Sequence, residues 1–168
     1  MNNIVLFEPE IPGNTGNIMR TFVATNTRLH LIKPLGFSLE DKYLKRSAVN
    51  YLEYLDYKVY ENFEDFESQN KGTYYFFTRY GKKPHTSFDY SNKDENIYLI
   101  FGKESTGIPK EILRNHLDNC MRIPMTDKVR ALNLSNSAAI VIYEVLRQQD
   151  YNDLLRTEPH KSEDFIIE

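Results

Sequence analysis

The sequence predicts an α/β domain with a mostly parallel sheet flanked by helices, and three observations carry that reading. Four short runs, Asn3 to Phe7 (NIVLF), Arg28 to Ile32 (RLHLI), Tyr74 to Thr78 (YYFFT) and Ile97 to Phe101 (IYLIF), are apolar, rich in β-branched and aromatic residues, and bounded by turn formers. Helical patterns alternate with them, as expected for a sheet covered on both faces. The chain has 168 residues and shows no internal repeat, linker or low-complexity segment, which suits one domain with a full core.

In chain order, the first strand leads through a Pro/Gly/Asn-rich loop to a helix over Asn14 to Thr25, for which Asn14 or Thr15 can serve as cap. At 100° per residue Gly16, Asn17, Arg20 and Ala24 share an outward face, while Ile18, Met19, Phe22 and Val23 share the inward one. After the second strand, Ser38 with Asp41 three residues on opens a helix over Leu39 to Ala48. A weaker strand lies in DYKVY, and Asn62 caps a helix over Phe63 to Gln69. A short helix follows Pro109, and CMRIP is a brief sixth strand. In the last helix Ala138, Ala139, Val141, Ile142, Tyr143, Val145 and Leu146 spread over more than half the circumference, so burial on more than one side is expected. Its start is crowded with polar residues, Asn133, Ser135, Asn136 and Ser137, where capping alone needs only one. Residues 1–155 form the expected domain, and the acidic residues 156–168 a flexible tail.

Composition narrows the function. Hydrophobic residues are 40% and charged residues 27% of the chain, without a long apolar run, so disorder and membrane spanning are both excluded. The N-terminus carries no secretion-signal pattern, which makes the cytoplasm the expected location. The single cysteine, Cys120, permits no internal disulfide and reads as a small buried hydrophobe. A net charge of −3 argues against a generic polyanion binder. Local basic clusters (Lys42, Lys45 and Arg46; Arg79, Lys82 and Lys83; Lys128 and Arg130) matter only if the fold gathers them.

Several chemistries lack their patterns. GKES lacks the earlier glycine of a triphosphate-binding loop, and no G-x-G-x-x-G follows the first strand, which disfavours a nucleotide-dependent kinase or oxidoreductase. The four histidines have no paired metal-ligand spacing, so no metal is expected, and no G-x-S-x-G turn is present. The first loop remains a candidate anion site, because a helix N-terminus and the Arg20 guanidinium both favour phosphate or carboxylate.

Three stretches, EPEIPGNTGNIMR, IFGKESTGIP and RIPMTDKVRALNLSNSAAIVIYE, together resemble the signature motifs of the SPOUT superfamily of RNA methyltransferases. Within it, the chain is similar to the small TrmL-type wobble 2'-O-methyltransferases of tRNA, over Asn3 to about Tyr151. The resemblance implies a C-terminal trefoil knot, a homodimer, S-adenosylmethionine as methyl donor, and methylation of cytidine or uridine 34, with leucine tRNAs the expected substrates. It implies a cofactor pocket built from Phe77, Thr78, Gly102, Ile123, Arg130, Ala131 and Leu132, where many relatives have Ser in place of Ala131. It implies catalytic roles for Arg20, Asn14, Glu104, Ser135 and Asn136. A guanidinium is a poor base, so Arg20 is expected to orient a phosphate or the alkoxide. Contact with the tRNA anticodon stem-loop is expected through Lys45, Arg46, Arg79, Lys82, Lys83 and Arg130. Two alternatives remain at this point: ribose methylation elsewhere in tRNA or ribosomal RNA, and a knotted RNA-binding module without catalysis.

Overall fold

The computed structural model describes residues 1–48 and 51–168. Seven strands form one sheet: β1 (Asn2–Phe7), β2 (Arg28–Ile32), β3 (Tyr57–Tyr60), β4 (Thr73–Phe77), β5 (Lys83–Pro84), β6 (Ile97–Phe101) and β7 (Cys120–Arg122). Their spatial order is β3-β2-β1-β6-β4-β7-β5, and every pairing is parallel. Five α-helices accompany them: α1 (Pro12–Thr25), α2 (Lys42–Ala48), α3 (Phe63–Gln69), α4 (Lys110–Leu113) and α5 (Leu134–Gln148).

Alternation along the strands explains why they read as unbroken apolar runs. Ile4, Leu6, Tyr75, Phe77, Leu99 and Phe101 point to one face, where they pack with Ile18, Met19 and Phe22 of α1 and Val141, Ile142 and Val145 of α5. Val5, Phe7, Tyr74, Phe76, Tyr98 and Ile100 point to the other face, against Phe63 and Phe66 of α3. With both faces covered, the central strands β1, β6 and β4 are buried along their length apart from the first residues of β1 and β4.

The two long helices on the first face both begin at the carboxyl edge of the sheet. α1 leaves the end of β1, and the residue capping α5, Asn133, donates a hydrogen bond to Asn14 of α1 at 3.0 Å. At the other edge Gln149, just past α5, exchanges side-chain hydrogen bonds with Asn2 at the start of β1, at 2.8 and 3.1 Å. Two helix N-termini, each the positive end of a dipole, therefore lie side by side at the edge where ligands of parallel sheets bind.

Four expectations need correction. α1 begins at Pro12, and neither Asn14 nor Thr15 caps it; both are buried inside the helix. α2 begins at Lys42 rather than Leu39, because the Asp41 carboxylate, not Ser38, accepts the N–H of Leu44. Gly16 is buried, although Asn17, Arg20 and Ala24 are exposed as expected. α5 buries one face only: Ala138, Val141, Ile142, Val145 and Leu146 are inward, while Ile140 and Tyr143 are 40% and 47% exposed. The structure also adds β5, a two-residue edge strand whose proline leaves it invisible to strand patterns.

Candidate functional site

Four strands adjacent in the sheet, β1, β6, β4 and β7, send their carboxyl-terminal loops to one edge. The chain runs outward from β1 to β2 and β3, then crosses to β4 and returns to place β6 beside β1. The reversal of strand order at β1 and β6 makes this a switch point, where the outgoing loops leave room for a ligand.

The loops after β1 and β6 are latched to each other by matched pairs. Glu8 forms an ion pair with Lys103 at 2.8 Å. The Glu10 carboxylate accepts the Ser105 N–H at 2.9 Å and its hydroxyl at 2.6 Å. Those two bonds hold the Glu10 carboxyl below its ordinary pKa, and the bond to Glu8 raises that of the Lys103 ammonium. In return the Glu104 carboxylate accepts the N–H groups of Glu10 and Ile11 at 2.9 and 3.0 Å. Glu104 thereby holds the two residues that lead into α1 from a loop more than ninety residues away, with its negative charge near the positive end of the helix dipole.

A third loop joins through Asn14. Its amide donates to Glu104 at 3.3 Å and its carbonyl oxygen accepts from Asn133 at 3.0 Å. Asn133 Oδ1 in turn accepts the N–H groups of Ser135 and Asn136 and the Ser135 hydroxyl at 2.6 Å. The Ser137 hydroxyl donates to the Asn133 carbonyl at 3.1 Å. One residue thus caps α5, and the neighbouring serines fold back on it. The cluster is less buried than the sequence suggests: Asn133 and Asn136 are exposed in the single chain.

The residues expected to frame a cofactor lie along the same edge. Phe77 and Phe101, at the ends of β4 and β6, stack with ring centroids 4.9 Å apart. Thr78 follows β4 and donates its N–H to the Met121 carbonyl at 2.9 Å. Gly102 follows β6, and a Cβ there would stand 2.3 Å from the Gly107 carbonyl carbon, so this loop folds back tightly on itself. Ile123 follows β7 and is half-buried, as is Leu132; Arg130 and Ala131 are exposed just ahead of the α5 cap. Loop backbone with two half-buried aliphatic side chains is a donor set that fits an adenosine: amides and carbonyls for its polar edge, methyl groups for its flat face.

The other expected site residues are distributed as follows. Arg20 is exposed on α1, and its guanidinium carbon lies 5.1 Å from the Tyr51 ring centroid. α2 packs on α1, with Lys45 and Arg46 exposed and Lys45 paired to Glu40. Arg79, Lys82 and Lys83 are exposed around the turn after β4, where Arg79 lies 5.3 Å from the Tyr80 ring centroid. Sequence reading missed Tyr51 and the latch of Glu8, Glu10, Lys103 and Ser105. The latch had a signal: two acids spaced by two residues in one loop match a lysine and a serine with the same spacing in the other.

Two cavities lie elsewhere. One, of about 420 Å³, opens by Lys71, Thr73, Tyr74 and His116 at the start of β4, and another, of about 610 Å³, lies by Val23, Asn26, Tyr143 and Leu155. Among the described residues no cluster of His, Cys, Asp and Glu could hold a metal ion.

An α/β domain whose parallel sheet is roofed at its carboxyl edge by three interlocked loops is the architecture of SPOUT methyltransferases. The structure reported under "Structural insights into the 2-OH methylation of C/U34 on tRNA" superposes with a TM-score of 0.83 at 35% identity, covering 90% of this chain and 98% of that one. The SpoU methyltransferase AviRb from Streptomyces viridochromogenes, in complex with the cofactor AdoMet, shares the fold with a TM-score of 0.78 at 22% identity, over 88% of this chain and 57% of that one. The chain belongs to the SpoU rRNA methylase family, whose model matches residues 1–143. It is 46% identical over 153 residues to the tRNA (cytidine(34)-2'-O)-methyltransferase of Methylovorus glucosotrophus, covering 90% of this chain and 97% of that protein.

Proposed function

We propose that this protein transfers a methyl group from S-adenosylmethionine to the ribose 2'-hydroxyl of the wobble nucleotide, cytidine or uridine 34, of tRNA. The observation that carries the reading is the network through Asn14, which holds the three motif loops of a methyltransferase fold in one register at the switch point. The wobble position rests on the similarity to tRNA 2'-O-methyltransferases over almost the full length of both chains.

Bound at this edge, the cofactor supplies a methyl group on a positively charged sulfur. Backbone groups at Phe77, Thr78, Gly102, Ile123 and 130–132 hold it, with the chain between β6 and α5 threaded as a trefoil knot. Asn14, Glu104, Ser135 and Asn136 fix those loops relative to one another and border the place where the hydroxyl enters. Alignment of two bound reactants can supply about 7–11 kcal/mol of barrier reduction, so fixing the loops is a large part of catalysis. Arg20, exposed on α1 with its guanidinium over the Tyr51 ring, offers its N–H fork to a phosphate or ribose oxygen. As the 2'-oxygen bonds to the methyl carbon and the carbon–sulfur bond breaks, the hydroxyl proton leaves to water or a nearby phosphate. Arg20→Lys removes both the fork and the stacking plane, and should lower kcat by at least about tenfold in a methyl-transfer assay. Turnover near the wild-type value would remove the orienting role.

The exposed stripe of Ile140 and Tyr143 on α5 supports assembly as a homodimer, which would also double Lys45, Arg46, Arg79, Lys82, Lys83 and Arg130 around one RNA. Among the described residues no helix is long and apolar enough to cross a membrane. Action on tRNA supports a cytoplasmic location. The deciding experiment incubates the protein with labelled S-adenosylmethionine and tRNA lacking wobble methylation, then maps the label. Label at nucleotide 34 of leucine tRNAs is expected. Methylation only elsewhere overturns the wobble assignment, and absence of both transfer and cofactor binding overturns the enzyme.

A further inference from the structure

Tyr80 is 70% exposed at the tip of the turn that leaves β4, two residues beyond Thr78 at the edge of the candidate site. The turn beneath the ring holds it there. Gly81 donates its N–H to the Thr78 carbonyl at 3.1 Å, and the Thr78 hydroxyl accepts the Tyr80 N–H at 3.3 Å. Both ends of the turn are then pinned to β7: Thr78 by its bond to the Met121 carbonyl, and Gly81 by contact so close that a Cβ would lie 2.3 Å from the Met121 carbonyl carbon. With Gly81 buried under the next strand, the side chains of Arg79 and Tyr80 are left pointing out of the rigid part of the molecule.

The surroundings of the ring define what it fits. The Arg79 guanidinium lies 5.3 Å from the ring centroid, and Lys82 and Lys83 are exposed on the same turn, with the Lys83 ammonium over the Phe88 ring at 5.5 Å. A ring flanked by cations, fixed on a turn and open to solvent matches the stacking platforms that receive unpaired nucleobases while neighbouring basic groups take the phosphates. We infer that Tyr80 stacks on an unpaired base of the RNA substrate, next to the nucleotide whose ribose is methylated. The inference rests on the proposed RNA methyltransferase reading and deepens it, by dividing this loop into one stacking residue and a set of charge-neutralising ones.

The division is testable because stacking and charge respond differently to salt. Wild-type protein, Tyr80→Ala, Tyr80→Phe and the double variant Lys82→Ala/Lys83→Ala are compared by titrating substrate tRNA at several salt concentrations, with S-adenosylmethionine affinity measured in parallel by calorimetry. Tyr80→Ala is expected to bind tRNA about 5- to 150-fold more weakly, the range for one lost stacked base, with the slope of log K against log salt unchanged. Tyr80→Phe should restore binding, since the flat face and not the hydroxyl is used. The lysine pair should instead flatten the salt slope by about one to two units. Cofactor affinity and melting temperature should stay at wild-type values in all three variants. Wild-type tRNA affinity in Tyr80→Ala, or a reduced salt slope in it, overturns the stacking role. Failure of the wild-type protein to methylate or bind tRNA at all overturns the underlying reading instead.

Discussion

Gly102→Ala should weaken S-adenosylmethionine binding and destabilise the fold by about 3 kcal/mol. The added Cβ would meet the Gly107 carbonyl carbon at 2.3 Å and the Ile108 nitrogen at 2.4 Å. Both are main-chain atoms, so no side chain can swing aside; the loop itself must move. Overpacking ordinarily costs about 1–3 kcal/mol, and backbone that cannot yield lies at the top of that range or above it. The displaced segment carries Lys103, Glu104 and Ser105, so the shift pulls on every bond of the latch to the first loop. Gly107→Ala separates space from conformation. A Cβ at Gly107 meets nothing within 4 Å, but its φ of +73° is a left-handed conformation that an L side chain adopts at a cost of about 1–2 kcal/mol. Calorimetric titration with the cofactor and thermal melts should therefore rank Gly102→Ala well below Gly107→Ala on both measures. Equal effects would mean that close approach at Gly102 is not what shapes the pocket.

The frame of this molecule was legible in the sequence because its main strands are buried on two sides. The runs NIVLF, RLHLI, YYFFT and IYLIF need no alternation to be recognised, and each appears within one residue of its expected limits. What failed were inferences that assumed local solutions. Asn14 has the right chemistry for a cap, yet it lies buried between Glu104 and Asn133, while the N–H groups of Glu10 and Ile11 leading into α1 go to a carboxylate about ninety residues away. No window of sequence contains that partner. The same holds for the outward side of α5: Tyr143, exposed next to Ile140, read as core because periodicity registers apolarity but not which apolar surface belongs to the single chain. The motif loops carried the candidate site as a resemblance. Their geometry adds which of those polar residues are spent on one another, and leaves Arg20, with its ring partner Tyr51, facing outward.

On the far side of the sheet, His30 should make the protein less stable as the pH falls below neutrality. Its imidazole is 1% exposed, stacked on Tyr60 and edge-on to Phe66 and Tyr98. Asn3 spends its amide on the Met1 and Ile97 carbonyls, which leaves its Oδ1 to accept from His30 Nε2 at 2.9 Å. The Tyr60 hydroxyl then gives its one proton to Nδ1 at 2.9 Å rather than to the more distant Asn70 Oδ1 at 3.4 Å, and the neutral ring is fully satisfied. A second proton would have to enter an apolar box, with Arg28 and Lys58 nearby opposing it and only Asp56 favouring it, and burial pushes the pKa down from 6.5 to about 4. The unfolded chain takes up that proton near pH 6.5 and the folded one only near 4, so unfolding is favoured progressively across this window. Stability is complete above pH 6.5, falls by about 2 kcal/mol at pH 5, and by about 3 kcal/mol once both states are protonated. Urea unfolding of wild type and His30→Gln at pH 7 and pH 5 isolates the effect, because His85, whose pKa is also lowered by burial, is present in both proteins. The wild-type loss should exceed the variant's by about 2 kcal/mol, whatever the variant's stability at pH 7. Parallel losses in the two proteins would place the acid sensitivity in groups other than His30.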